Sequence, residues 1–275
     1  MSFDHPAFAP YRQLIDTLDL ARTPATLAGF NAVAGAFDII QARGLPLRFI
    51  AADGRLSARD YETHILQTGQ VPTRADTWHD AMNALVWLRF PHFKAALNAA
   101  HGEAIGRETD TLRGRRRDAL TVLDESGVWV NSRDPALHAL LAEHAWQALF
   151  WEHRHAVETT MQFVVVGHAL LEKLLAPYPA VTGKCLMLNI DSSDPGSLEL
   201  QAVATLSAID SPRQLAPLPV QGVPGWDAAN ATTEYYANQA IFRPPRLNLP
   251  SAANRPLPPT PAPSPDHQTG ESQPT

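Results

Sequence analysis

DTWHDAMNALVWLRFPHFKAALNAAH, residues 76–101, carries much of the polar chemistry of this chain on either side of one proline. The way it folds decides what the molecule can do. On a helix of 3.6 residues per turn, positions i, i+3, i+4 and i+7 share a face. Asp76, His79, Asp80 and Asn83 thus form a polar stripe against an apolar one of Trp78, Met82, Leu85 and Val86. Pro91 suits a first helical turn, where its missing N–H would have no partner. After it Lys94, Asn98 and His101 repeat the polar i, i+4, i+7 spacing, opposed by Phe93, Ala96, Leu97 and Ala100. If the chain reverses near Phe90–Pro91, the stripes meet in a pocket of two imidazoles, a carboxylate, two amides and an ammonium. If the proline only kinks one continuous helix, His79 and His101 stand about 33 Å apart at 1.5 Å per residue, and no shared site exists.

Composition bounds the rest. At 275 residues the chain can bury one sizeable core. Hydrophobic residues make up 45% and charged residues 18%, with a net charge of −6, which argues against an electrostatically driven nucleic-acid binder. The longest strongly apolar runs, such as Phe163 to Val166, fall far short of the ~20 residues of a membrane span. The start MSFDHPAFAP has neither a basic segment nor an apolar one after it. The expectation is a cytoplasmic protein with no membrane contact. A single cysteine, Cys185, excludes an intramolecular disulfide and a multi-cysteine zinc site. Within KCLMLNI it reads as an inert strand residue.

The pattern predicts an α/β or α+β fold: a helix-rich single domain with a small mixed sheet. Residues 10–20 and 24–42 read as helices, Leu47 to Ala51 as a strand, and Ser57 as the cap of a helix running to Gly69. DALTVLDESGVWVNS reads as a hairpin turning at Asp124 to Gly127, and residues 134–158 as a long helical region. MQFVVVG followed by HALLEKLLAPY is a strand that breaks at Gly167 into a helix. A strand over Lys184 to Ile190 and a helix starting near Ser197 follow. Residues 217–246 are punctuated by proline but carry Trp226, Tyr235, Tyr236 and Phe242, which predicts an irregular strap across the core. The globular domain is expected over 1–248, with a core of about 10–210 and the strap over 211–248. Residues 249–275, rich in Pro, Ser and Thr, read as a disordered tail that could meet a protein partner.

The chain contains no GxGxxG, GxxxxGK[ST], G-x-S-x-G or H-E-x-x-H motif, which removes dinucleotide-binding, P-loop, α/β-hydrolase and zincin readings. His168 opens a helix directly after an apolar strand, a place where side chains often face a crevice. Arg113, Arg115, Arg116 and Arg117 form the one basic cluster, and guanidinium forks suit phosphate or carboxylate. Read as a strand entry, alternate arginines face opposite sides.

The pair His79–Asp80, with His64 before it and Asp118 or Asp124 after it, is similar to the His-Asp dyad of metal-dependent phosphohydrolases. NALVWLRFPHFKAALNAAH is similar to the helical half of His-Me-finger nucleases. Longer phrases carry a further resemblance: THILQTGQVPTRADTWHDAMNALVWLRFP, KAALNAAH, GRRRDALTVLDESGV, FVVVGHALLEKLL, PYPAVTGK, PVQGVPGWD and IFRPPR. Through these the chain resembles a bacterial domain-of-unknown-function family, the one numbered 3025, over roughly residues 60–246. The resemblance implies one soluble domain that includes the strap, and it draws attention to Asp118, Asp124 and Lys184 among other positions inside those phrases.

Two readings of function follow. In the first, the protein is a divalent-metal-assisted hydrolase of phosphate esters or phosphodiesters, with nuclease-like chemistry included. His79, Asp80, Asn83 and His168 are then the candidate catalytic residues, His79, Asp80 and His101 the candidate metal ligands, and Lys94, Asn98, Arg115, Arg116 and Lys184 the candidate substrate-binding groups. In the second, the polar stripes serve structure in a non-catalytic binding or scaffold protein.

Overall fold

In the computed structural model, residues 2–22, 24, 26–54, 56–107 and 114–244 are described. A 3-10 turn over Pro6–Tyr11 leads into α1 (Arg12–Thr17) and α2 (Leu27–Ala36). Strand β1 (Arg48–Ala51), α3 (Ala58–Thr68) and β2 (Gln70–Thr73) follow, then α4 (Trp78–Arg89), α5 (Pro91–Arg107) and α6 (Arg115–Ser126). The second half holds β3 (Gly127–Asn131), α7 (Pro135–Ala142), α8 (Arg154–Thr160), β4 (Gln162–Val165), α9 (His168–Leu174) and β5 (Thr182–Leu188). It ends with α10 (Pro195–Leu206), β6 (Ala216–Pro219) and α11 (Thr233–Tyr236). β1 and β2 pair in parallel, and the second sheet runs β4-β3-β5-β6 with β3 and β5 parallel and both outer pairs antiparallel. This is a helix-rich α+β architecture with small sheets. Among the described residues no helix is long and apolar enough to cross a membrane.

Every residue of β3 is buried, so this strand runs through the middle of the core. Its Trp129 meets Phe90 at 4.7 Å and Phe93 at 5.0 Å between ring centroids, both edge-on. Those two phenylalanines flank Pro91. Phe90 leaves helical geometry at φ −130°, ψ 62°, and the proline restarts a helix whose Phe93 N–H is accepted by the buried Glu199 carboxylate of α10 at 2.9 Å. Residues 78–107 are therefore two helices with different packing partners, α4 lying mainly on α9 and α5 on α10, α3 and α6. Tyr11 closes the same cluster, its ring 5.7 Å from Phe90 and its hydroxyl donating to the Val165 carbonyl at 2.6 Å.

Several expectations need correction. Residues 115–126 are a helix and not the first arm of a hairpin, because Ala119, Leu120 and Leu123 bury along one helical face. Leu123, at i+4 from Ala119, completes that face. Asp124–Glu125–Ser126 is the last turn of α6, and Gly127 is both its cap and the first residue of β3. The helical region 134–158 breaks at His144, whose backbone is left-handed at φ 55°, and resumes through a wide π-turn over Ala148–Glu152. The N-terminal helices are shorter than 10–20 and 24–42. Asp19 and Asp38, at φ 49° and 47°, turn the chain after them. Ser57 does cap α3, accepting from Asp60 N–H, and Gly69 ends it in left-handed geometry. The strap is more regular than expected: its Ala216–Pro219 segment pairs with β5 as β6. Tyr236 and Phe242 then pack on each other at 5.1 Å, and Tyr236 on Phe150 at 6.1 Å. Residues 249–275 lie outside the described residues.

Two glycines bring separate elements into backbone contact. The Gly127 carbonyl accepts both Val166 and Gly167 N–H at 2.9 Å. A Cβ on Gly167 would lie 2.4 Å from Gly127 N and 2.5 Å from Ser126 Cα, both backbone atoms that cannot swing aside. The end of α6 is thereby locked against the start of α9. Gly167→Ala is expected to lower stability by about 1–3 kcal/mol through overpacking, read as a lower urea midpoint at unchanged slope. An unchanged midpoint would show that the junction yields.

Candidate functional site

The α6–α9 junction forms one wall of a cavity of about 640 Å³. α4 contributes His79, Asp80 and Asn83, and α9 contributes His168. His101 of α5 lines it as well, which excludes one continuous helix through Pro91. From α6 come Arg117, Thr121, Asp124 and Glu125, the i, i+4, i+7 and i+8 positions of a single helical face. α3 adds Tyr61 and Glu62, and the segment around Ala52, Leu56 and Pro72 forms a less polar side. A narrow recess shares Glu62, His101 and Asp124 with this cavity and is closed by Lys94 and Asn98.

Three potential donors converge. His79 Nε2 and His168 Nε2 are 3.1 Å apart, and Glu125 Oε2 lies 3.6 Å from His168 Nε2. Among the described residues, His79, Glu125 and His168 are the group whose ligand atoms all lie within 4.8 Å of one another. The far side of each ring faces a carboxylate. His79 Nδ1 is 3.0 Å from Glu172 Oε2, and His168 Nδ1 is 3.7 Å from Asp124 Oδ2. The Glu172 contact favours the proton on His79 Nδ1 and directs the His79 Nε2 lone pair at His168 Nε2, a position that a donated N–H or a shared cation satisfies. Burial, only partly opposed by Asp124, holds His168 down at about 4, so its ring is neutral at neutral pH and fit to be a ligand.

The surrounding charges are paired. Lys94, itself buried, donates to Asp124 Oδ1 and lies 5.5 Å over the Trp87 ring. Burial disfavours the Asp124 anion, but Lys94 and His168 outweigh it and hold the carboxyl below its usual range. Arg74 grips Asp80 with both arms of its fork, Nε at 3.1 Å and Nη2 at 2.7 Å. That grip overrides the burial of Asp80 and lowers its pKa. Glu62 behaves in the opposite way. Burial first, and then the neighbouring Asp124 charge, push its carboxyl up.

Of the candidates read from sequence, His79, Asp80, Asn83, His101 and His168 share the cavity, while Lys94 and Asn98 stand in its recess. Asp80 is not part of the ligand cluster, because Arg74 occupies its oxygens. Asn83 donates to the Tyr61 hydroxyl at 2.9 Å, and Asn98 holds Glu62. Arg115 is exposed, and Arg116 donates to the Ser207 and Ile209 carbonyls and pairs with Asp210. Arg117 is the arginine of that cluster that faces the cavity. A helix rotates successive side chains by 100°, whereas the strand reading split them between two sides. Arg113 lies outside the described residues. Lys184 sits away from the cavity on β5, its Nζ 3.5 Å from the Leu215 carbonyl. Cys185 is buried beside it, and burial raises its thiol, as an inert strand residue requires. His64 does not line the cavity. Glu62, Glu125 and Glu172 were missed, and the polar spacing from Arg117 to Glu125 was the available signal for Glu125.

The chain belongs to the family described as "Protein of unknown function (DUF3025)", whose model matches residues 47–246. That span includes every cavity residue named above. No curated protein and no solved structure matches the chain.

The Lys94–Asp124 pair ties α5 to α6 beneath the histidines. Lys94→Met is expected to cost about 3–5 kcal/mol, because it strands the Asp124 charge in the interior. Lys94→Met combined with Asp124→Leu is expected to recover part of that loss in chemical denaturation. A double variant no more stable than the single would show that the pair is not coupled.

Proposed function

We propose that the protein is a divalent-metal-assisted hydrolase of phosphate esters or phosphodiesters, with His79, His168 and Glu125 as the metal ligands. The observation that carries this reading is the convergence of two imidazole nitrogens and one carboxylate at the wall of an open cavity. With metal–nitrogen bonds of 2.0–2.1 Å, two ligands at a tetrahedral angle stand about 3.3–3.4 Å apart. The separations of 3.1 and 3.6 Å bracket that value. Two histidines and one carboxylate leave coordination positions open, as a catalytic rather than a structural zinc site requires. When bound, a divalent cation there supplies charge that acidifies water and polarises a phosphoryl oxygen.

The protein's own residues have separate tasks in this scheme. Glu172 and Asp124 orient the two rings from behind. Arg117, with Arg74 aligned by Asp80, presents guanidinium groups to the charge of a phosphoryl substrate. Asn83 and Tyr61 shape the polar wall between α3 and α4. The less polar side around Leu56 and Pro72 suits the organic portion of an ester.

The test combines metal analysis with metal-induced thermal shift on the full chain. Wild type is expected to bind one equivalent of Zn²⁺ or Mn²⁺ and to gain several degrees. His79→Ala and His168→Ala should abolish the gain, whereas Asp80→Asn should retain it. Absence of metal and of any shift in wild type would retire the hydrolase reading in favour of a binding protein. A shift lost only in Asp80→Asn would move the centre.

A further inference from the structure

The cavity contains a carboxyl group that does not coordinate in the proposed centre and whose hydrogen bond comes from a neutral amide. Among the carboxylates that line it, Asp80 is held in the Arg74 fork, Asp124 is bonded by Lys94, and Glu125 faces the histidine pair. Glu62 is different. The neutral amide of Asn98 donates to its Oε2 at 2.6 Å and also to its backbone carbonyl at 3.0 Å, fixing the side chain against α5. It lines both the main cavity and the recess, so one group reaches the buried interior and the space that a substrate would fill.

We infer that Glu62 is the general base of this site, accepting a proton from the attacking water; the inference rests on the hydrolase reading. The water oxygen forms the new bond to phosphorus as its proton passes to the Glu62 carboxylate. The bond from phosphorus to the leaving oxygen breaks, and that oxygen keeps the electron pair. The proton then passes from Glu62 to the departing alkoxide, which restores the carboxylate, so the cycle consumes one water and releases an alcohol and a phosphate.

The surroundings suit that duty. Asp124 and Arg117 face Glu62 from α6, and Lys94 and Asn98 face it from α5. Burial and Asp124 raise its carboxyl to about 7, against the opposing pull of Lys94, Asn98 and Arg117. A base poised near neutral pH accepts a proton readily and still releases it. Asp124, which acts on Glu62 through its charge and is itself held ionised by Lys94, lacks that freedom. Two carboxylates with oppositely shifted affinities divide the work, one as proton carrier and one as permanent charge behind His168.

The experiment uses the full chain loaded with Zn²⁺ or Mn²⁺ and bis(p-nitrophenyl) phosphate as probe. Glu62→Gln keeps the acceptor for Asn98 and is expected to lower kcat about 10²–10⁴-fold with KM nearly unchanged. It should also abolish the acidic limb of the rate–pH profile, where activity rises as the base loses its proton. Glu62→Asp should restore part of the rate. Calorimetry should give Glu62→Gln the metal affinity of wild type. Carboxyl ¹³C NMR of the metal-free wild type supplies a reading that needs no variant to fold: the Glu62 signal should titrate near neutrality. Full activity of Glu62→Gln with its acidic limb intact overturns the assignment, as does an ordinary glutamate midpoint in the NMR titration. Loss of metal affinity with the rate would make Glu62 a structural support and not a base. A wild type that binds metal yet hydrolyses no probe ester would overturn the hydrolase reading, and the base role with it.

Discussion

The arrangement depends on a place where two backbones touch. Gly127 ends α6 and begins β3, while Gly167 ends the β4 segment and caps α9. The Gly127 carbonyl accepts two N–H groups from the second junction. Neither glycine has room for a side chain, since a Cβ on Gly127 would stand 2.3 Å from the Leu123 carbonyl oxygen. The contact places Asp124 and Glu125, in the last turn of α6, beside His168, in the first turn of α9. Moving either helix by the width of a methyl group would separate the carboxylates from the imidazole. The glycines therefore act through distance and not through conformational freedom, as neither has a positive φ.

A second constraint orients the opposite wall. Trp129 on the buried strand β3 receives Phe90 and Phe93, so the helix break at Pro91 is seated in the core. From that seat α4 carries His79 to the cavity and α5 carries Lys94, Asn98 and His101. The core strand thus sets both walls, directly through Gly127 and indirectly through Trp129. Charges brought together by this packing are compensated locally, Lys94 with Asp124 and Arg74 with Asp80, while Glu172 is hydrogen-bonded to His79 Nδ1. Pairing makes such a density of ionisable groups tolerable inside a fold. Glu62, which accepts from the Asn98 amide, answers burial by raising its proton affinity.

Part of this was legible in the chain. The stripe of His79, Asp80 and Asn83 and the repeat Lys94, Asn98, His101 follow from helical periodicity, a local property. The caps at Ser57 and Gly69, the strand-to-helix break at Gly167 and the inert Cys185 were equally local. The hairpin assigned to DALTVLDESGVWVNS failed because β-branched residues and an Asp-Glu-Ser-Gly turn signal outweighed the Ala119–Leu120–Leu123 spacing. Burial against the core reversed that preference. The same error hid Glu125 and directed attention to Arg115 and Arg116 in place of Arg117.

By itself the sequence determined which residues share a helical face and that the polar groups of residues 76–101 lie on faces opposed to apolar ones. Only the tertiary structure decided which faces meet. It placed Glu125, 43 positions from His168 in the chain, beside that histidine, it set Asp80, next to His79, in the Arg74 fork, and it separated Glu62 from Asp124 in acidity. The physical reason is that periodicity reports orientation about one axis. Proximity between axes, and the burial that shifts a proton affinity, arise only when Gly127 closes on Gly167 and the phenylalanines at Pro91 close on Trp129.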